Sequence, residues 1–340
     1  MPTDNKIGVA LLSFAHVHAN GYADQVRDHP DLITIAVWDE DPVRGQTEAE
    51  KRGVPFYPEL DAVLAHPDVE AVVVCSPTSM HREILISSAQ AGKHIFTEKA
   101  LTITIEDAAD VMKAVEDSGV RFMISLPSRT RPEILFAKKT IDDGLLGDIT
   151  LIRARVAHMA ALDRWFSGGS TWFAEEEKAG GGAFFDLGCH RVDVMRWFMG
   201  EPVSVVSQMT NFSGSYDIDD NMVSVLSFRN GAIGILDVSW VHRHGPNPLE
   251  IYGSEGYLGV ETSPSGPRIQ LISNRIVQGD YAGCILPSKL PPALPSPMNQ
   301  WVSSIKEGTI PTINIYDGWA LAQMMTNCYR AAREHREITF

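Results

Sequence analysis

The chain has 340 residues, 44% hydrophobic and 21% charged, which is enough apolar material for real cores and leaves little room for disordered tracts. At roughly 100–200 residues per domain, that length predicts two domains. The formal net charge of −14 repels phosphate backbones and anionic lipid, so nucleic acid and membrane surfaces are excluded as expected partners.

No run of about 18 apolar residues predicts a transmembrane helix. The polar stretch Met1–Lys6 leads straight into a strand pattern and lacks the marks of a signal peptide. Cys75, Cys189, Cys284 and Cys328 are widely spaced, with no C-x-x-C pair. Reduced, buried thiols in a cytoplasmic protein are expected, without metal or redox roles.

The first 125 residues alternate strand and helix patterns. Ile7–Leu12 is a continuous apolar run, as in a strand buried on both faces. A helix follows over Val17–Asp28, then a strand over Leu32–Trp38. Asp41-Pro42 reads as an N-cap with proline at the first helical position, and that helix stops at Gly53. The pattern repeats with strand Ala71–Cys75, helix His81–Ala91, strand His94–Thr97, helix Thr104–Ser118 and strand Arg121–Ser125. Thr104 and Asp107 are spaced as a capping-box variant. Such alternation implies right-handed crossovers and a doubly wound parallel sheet, a Rossmann domain over residues 1–125.

After Ser125 the grammar changes. Helices are predicted over Pro132–Asp143 and Asp186–Met199, with a strand over Ile149–Ala157 between them. Strand runs follow at Val203–Thr210, Met222–Phe228, Ala232–Trp240, Leu249–Tyr252 and Arg268–Ile272, with a hairpin signal at Asn230-Gly231. Pro287–Pro297 reads as an irregular crossing segment. Helices near Gln300–Glu307 and Tyr316–Glu334 close the chain, the last expected to pack back on the first domain. Residues 126–340 are therefore expected to form an α+β domain with a large, open, mostly antiparallel sheet.

The first strand-to-helix turn would carry G-x-G-x-x-G in a dinucleotide-binding unit. Here it reads Ser13-Phe14-Ala15-His16-Val17-His18, with no glycine at any of the three positions. The small Ser13 and Ala15 still allow close backbone approach to a pyrophosphate, and the helix N-terminus still offers free N–H groups. Ser13, Phe14, Ala15 and His16 are thus expected to line a cofactor. Asp39 ends the second strand where a carboxylate would bond an adenosine ribose, which favours NAD over NADP. Arg44 could reverse that preference by pairing with a 2′-phosphate. His16 and His18 without a nearby acidic or thiol cluster read as loop and cofactor contacts, so no metal is expected. His242-Arg243-His244 reads as a polar strand end or substrate contact.

Three segments taken together carry a resemblance. They are Cys75-Ser76-Pro77-Thr78-Ser79-Met80-His81, Thr97-Glu98-Lys99-Ala100, and Gly180-Gly181-Gly182-Ala183-Phe184-Phe185-Asp186-Leu187-Gly188-Cys189-His190 with Asp193 and Trp197-Phe198-Met199-Gly200. In order and spacing the chain resembles the glucose–fructose oxidoreductase / inositol dehydrogenase (Gfo/Idh/MocA) family. The resemblance implies NAD(P), a sugar, polyol or related substrate, and a homo-oligomer, dimer or tetramer, joined through the large sheet. It implies that Lys99 touches nicotinamide ribose and substrate, and that Asp186 and His190 bind substrate and transfer a proton. It further implies cofactor contacts from Ser76, Pro77, Thr78, His81 and Glu98, and an Arg129 near the nicotinamide. The family's E-K-P reads E-K-A here, which frees the chain after Lys99 from proline's restriction and predicts a somewhat different aim for that side chain.

These residue types suit hydride transfer. Loss of hydride from a carbinol carbon requires a base within hydrogen-bond reach of its hydroxyl, and histidine has the right intrinsic pKa. The expected roles are His190 as acid/base, Lys99 as polarising cation and proton partner, and Asp186 as substrate anchor. Lys99 and His190 could exchange roles. On a regular helix, Asp186 and His190 would share one face. Trp165, Trp172 and Phe173 read as core aromatics, or as stacking surfaces for a sugar ring. Two competing readings are an NAD-using lyase or glycosidase that oxidises its substrate transiently, and a non-catalytic dinucleotide-binding regulator.

Overall fold

The structure, a computed structural model, describes residues 6–261, 266–278, 281–285, 287 and 289–340, with only the backbone at 277–278 and 281–285. The Cys284 thiol therefore lies outside the described residues. Two compact units form, and neither is one stretch of chain. The first takes the residues up to Ser125 together with Phe166–Gly180 and Pro295–Ala322. The second takes Leu126–Trp165, Gly181–Leu294 and Gln323–Phe340. The division expected after residue 125 thus marks the first boundary only.

The chain runs β1 (Ile7–Leu12), α1 (Ala19–Asp28), β2 (Leu32–Trp38), α2 (Pro42–Arg52), β3 (Phe56–Tyr57), α3 (Leu60–Leu64), β4 (Ala71–Val74), α4 (His81–Gln90), β5 (His94–Thr97), α5 (Ile105–Ser118) and β6 (Phe122–Ile124). These strands form a six-stranded sheet of order β3-β2-β1-β4-β5-β6, parallel throughout. Every residue of β1 and β4 is buried, which explains their unbroken apolar runs. Asp41 caps α2 by accepting from the Val43 and Arg44 amides, and Gly53 ends it at φ +67°. Thr104 caps α5 through the Asp107 amide. The short β3 and α3 gave no periodic signal in the sequence. Strand order reverses between β1 and β4, the place where such sheets open a crevice at their carboxyl ends.

The chain continues with α6 (Pro132–Asp142), β7 (Ile149–Ala157), α7 (Glu176–Ala179), a π-helical turn (Phe184–Gly188), α8 (Cys189–Met199), β8 (Pro202–Thr210), β9 (Asn221–Phe228) and β10 (Ile233–Ser239). After these come β11 (Pro248–Gly253), β12 (Gly256–Glu261), β13 (Arg268–Gln278), β14 (Tyr281–Ile285), α9 (Pro297–Glu307), α10 (Ile315–Glu334) and β15 (Ile338–Thr339). Nine strands form the second sheet in the order β14-β13-β12-β11-β7-β10-β9-β8-β15. It is antiparallel except for the β7–β10 pair. The Asn230-Gly231 hairpin joins β9 to β10, with Gly231 at φ +84°. Leu226, Leu236, Ala154 and Ile251 point to the buried face, where α8 packs close enough that a Cβ on Gly234 would stand 2.7 Å from Met195 Sδ. Cys75, Cys189 and Cys328 are all buried. Among the described residues no helix is long and apolar enough to cross a membrane.

Candidate active site

In the first unit, the turn after β1 keeps a glycine-type backbone without glycine. Ser13 sits at φ +72°, the left-handed region, and its hydroxyl accepts the Ala15 N–H at 3.1 Å. The Phe14 amide donates to Asp39 Oδ2 at 2.8 Å. That carboxylate also takes the Asp41 amide on Oδ1 (2.8 Å) and the Arg44 guanidinium on both oxygens (2.9 and 2.6 Å). Each oxygen of the buried Asp39 accepts two hydrogen bonds from within the chain, and through them Asp39 ties the turn to the start of α2. Arg44 also pairs with Glu40 at 2.6 Å, so two carboxylates flank one guanidinium.

The far side of the turn is braced by aromatics. Trp172 Nε1 donates to the Ala15 carbonyl at 3.1 Å, and the His16 ring lies 5.1 Å from Phe173 and 5.9 Å from Trp172. Trp172 and Phe173 are core residues here, as the simpler reading held. Behind β4, Ser76 and Thr78 are buried, and Pro77 precedes a 3₁₀ turn, Thr78–Met80. His81 is buried with ring nitrogens 2.9 Å from the Ala100 carbonyl and 3.2 Å from the Ser76 carbonyl. It braces the cis peptide Lys99–Ala100 from the side of Ala100.

Glu98, at the carboxyl end of β5, gathers several donors. His18 Nδ1 lies 2.9 Å from Oε1, the Tyr22 hydroxyl donates to the same oxygen at 2.5 Å, and the Lys99 amide donates to Oε2 at 2.9 Å. His16 Nε2 stands 3.7 Å from Oε2. Burial alone would raise this carboxyl, but the facing imidazoles and Lys99 outweigh it and hold Glu98 well below the usual range. His16 and His18 therefore do have an acidic neighbour, which their sequence neighbourhood did not show. Lys99 is buried beside it.

In the second unit, Asp219 and Tyr329 hold the glycine run. Asp219 accepts from the Gly182 amide (2.7 Å), the Phe184 amide (3.3 Å) and the Tyr329 hydroxyl (2.9 Å). The Phe185 amide donates to the same hydroxyl at 3.1 Å. A Cβ on Gly181 would sit 2.2 Å from the Tyr329 hydroxyl, and one on Gly182 only 1.8 Å from the Asp219 carbonyl. The run exists because the backbone must press against these two residues. It opens into the π-helical turn that carries Asp186, and His190 follows in the first turn of α8. The regular helix expected from Asp186 is thus widened at its start, a feature common at functional sites. Asp186 and His190 are both half-buried.

Arg129 is buried and forms a fork with Asp193, Nε to Oδ2 at 3.0 Å and Nη2 to Oδ1 at 2.5 Å, with its guanidinium 5.5 Å from the Trp197 ring. This ion pair anchors α8. Arg191 donates to the carbonyls of Arg155 (3.2 Å) and Asn247 (3.4 Å), and burial, then the Arg131 charge, pushes it down to about 10. Trp165 is exposed, its ring 4.8 Å from His158. His242 pairs with Arg155 at 2.7 Å and Arg243 with Asp163 at 3.0 Å, the polar strand end that was expected. Asp219, Tyr329 and Tyr22 were missed. Asp219 lies 37 residues from Gly182 in sequence, and no local pattern links them.

A parallel dinucleotide-type sheet, a second open sheet and a glycine-pressed turn define a two-sheet, Rossmann-containing oxidoreductase class. The chain belongs to the Gfo/Idh/MocA oxidoreductase family: the family's NAD-binding Rossmann-fold model matches residues 7–126 and its C-terminal domain model matches residues 134–259. It is 25% identical over 334 residues to inositol 2-dehydrogenase of Rhizobium meliloti, covering 94% of each chain. It is 28% identical over 221 residues to levoglucosan dehydrogenase of Pseudarthrobacter phenanthrenivorans, a match that takes in 57% of this chain and 56% of that protein. The solved structure of a levoglucosan dehydrogenase with NADH and L-sorbose superposes with a TM-score of 0.84 at 23% identity, covering 98% of this chain and 99% of that one. The protein is an oxidoreductase of an NAD-binding family.

Proposed function

We propose that this chain is a dehydrogenase or reductase that moves hydride between NAD and a carbinol or carbonyl carbon of a sugar, polyol or related compound. The observation that carries the reading is the fixed placement of Asp186 on a braced π turn and of His190 in the helical turn that follows it, in a family that binds NAD and in a chain that keeps Lys99 after β5. Asp186 anchors a substrate hydroxyl. His190 would take the hydroxyl proton, Lys99 would serve as the polarising cation of the first unit, and NAD, when bound, would supply the hydride acceptor. Asp39 and Glu40 around Arg44 leave the end of β2 acidic, which disfavours a 2′-phosphate and favours NAD over NADP. Its relatives, an inositol dehydrogenase and a levoglucosan dehydrogenase, favour a sugar-like substrate. Residues 1–125 act as the dinucleotide domain, and the open face of the second sheet joins copies of the chain.

The test is a panel of sugars and polyols with NAD, followed by the absorbance of reduced nicotinamide, for wild type and Lys99→Ala. Turnover with at least one member of the panel, falling on the order of 10²–10⁴-fold in Lys99→Ala, is expected. Thermal shift should favour NAD over NADP, because a ligand that binds only the native state raises apparent stability. Activity without added NAD, from protein purified with bound NAD, would move the reading to transient oxidation. Equal function of Lys99→Ala in the host would move it to a regulator.

A further inference from the structure

We propose that His16, His18 and Glu98 form a binding site for one divalent transition-metal ion, with zinc the ion whose ligand preferences they match. Among the described residues this is the one group of three or more His, Cys, Asp or Glu whose ligand atoms converge, all within 4.8 Å of one another. Zinc bound at roughly 2.0–2.2 Å by nitrogen and carboxylate oxygen has tetrahedral ligand–ligand edges of about 3.3 Å. His16 Nε2 lies 3.7 Å from Glu98 Oε2 and His18 Nδ1 lies 2.9 Å from Glu98 Oε1, so each imidazole faces a different carboxylate oxygen and a small closing movement brings the three ligand atoms to that edge.

The surroundings resemble those of a metal centre. The Tyr22 hydroxyl and the Lys99 amide donate to the Glu98 oxygens and orient the carboxylate, as outer-shell partners do. Trp172 and Phe173 wall the inner side against the His16 ring. His16 and Glu98 are buried, but His18 is 55% exposed, which gives an ion a way in and leaves a fourth position to water. His16 Nδ1 accepts the His18 amide at 3.2 Å, which leaves Nε2 as the ring nitrogen that faces Glu98. Imidazole and carboxylate together suit zinc, whereas magnesium and calcium want oxygen ligands alone. A bound ion would tie the turn after β1 to the end of β5, one residue before Lys99.

The experiment uses the full chain stripped with chelator and titrated calorimetrically with zinc chloride in the absence of NAD. One saturable site of micromolar or tighter affinity is expected, with no heat from magnesium. Cobalt in its place should give visible bands of a four-coordinate nitrogen–oxygen site and no thiolate charge-transfer band, which separates this site from the cysteines. His18→Ala should weaken zinc by more than the roughly 10–100-fold that loss of an outer-shell partner costs. Glu98→Gln, which keeps the side chain's shape, serves as a second variant should His18→Ala fail to fold. Absence of a saturable site, a thiolate band, or unchanged affinity in a folded variant would each overturn the proposal.

Discussion

Asp39 shows how one side chain decides between a ligand role and a framework role. Its two oxygens accept from two amides and a guanidinium inside the first unit. Asp39→Asn presents an amide nitrogen to some of those donors and leaves them unpaired, at about 1–3 kcal/mol for each buried group. The expected outcome is a lower unfolding midpoint of the nucleotide-free protein as well as weaker NAD binding. An open ribose acceptor would lose NAD affinity alone, so thermal unfolding without nucleotide separates the two. His81 makes a second residue-scale case. Burial, opposed by its carbonyl neighbours, holds the imidazole below its ordinary value, and His94 is shifted the same way by burial and Arg121. The unfolded chain therefore binds these protons more readily than the folded one. Their share of stability is complete above the unfolded pKa of about 6.5 and is lost as pH falls from there toward the folded values. His81→Gln should flatten the slope of unfolding free energy against pH below about 6.5, measured by urea titration at several pH values.

Among the elements, the glycine run and the π turn form a single device. Gly182→Ala drives a Cβ to within 1.8 Å of a backbone carbonyl, which no rotamer change relieves. A loss on the order of 3 kcal/mol is expected, at the upper end of overpacking costs. Tyr329→Phe is gentler: it removes a hydroxyl that donates to Asp219 and accepts the Phe185 amide. Because the Asp219–Tyr329 brace lies within the second unit, kcat should fall while NAD affinity measured by fluorescence titration stays within about twofold. Loss of NAD binding would show that the brace does not act on the substrate side. Much of this architecture was legible in the sequence. The alternation up to Ser125, the Asp41 and Thr104 caps and the Asn230-Gly231 hairpin all rest on local chemistry, and local chemistry survives in one dimension. The motif that holds Asp186 and His190 was legible, but its cause was not, because Asp219 and Tyr329 reach it from distant parts of the chain. The same distance hid Asp193 as the partner of Arg129, 64 residues away, and Glu98 as the partner of His18, 80 residues away. The parallel β7–β10 pairing was equally unreadable, since consecutive strand runs suggest hairpins.

At the scale of the whole molecule, one face of β8, β9 and β10 in the nine-stranded sheet leaves apolar side chains open among the described residues. Register places Val206 beside Val225, Val225 beside Ile235, and Ile235 beside Arg153, which in turn faces Glu250. Val206 and Ile233 are each 45% exposed and Val223 is 40% exposed, so the apolar side of this face is open. Isolated apolar residues on a surface need no explanation, but a contiguous run across three neighbouring strands marks an interaction site. In a chain of net charge −14, self-association must overcome general repulsion, and a flat patch with Arg153 and Glu250 set at its side supplies both apolar area and paired charge. A second copy of the chain, placed by a two-fold axis, would meet the same patch on itself. Val223→Glu with Ile233→Glu sets charge on that face while leaving the buried face untouched, so the isolated chain should keep its secondary structure by circular dichroism. Light scattering after size exclusion should then give an oligomer for wild type and a monomer for the double variant at the same protein concentration. A wild type that is already monomeric, or a double variant of unchanged mass, would mean that the open face serves another purpose.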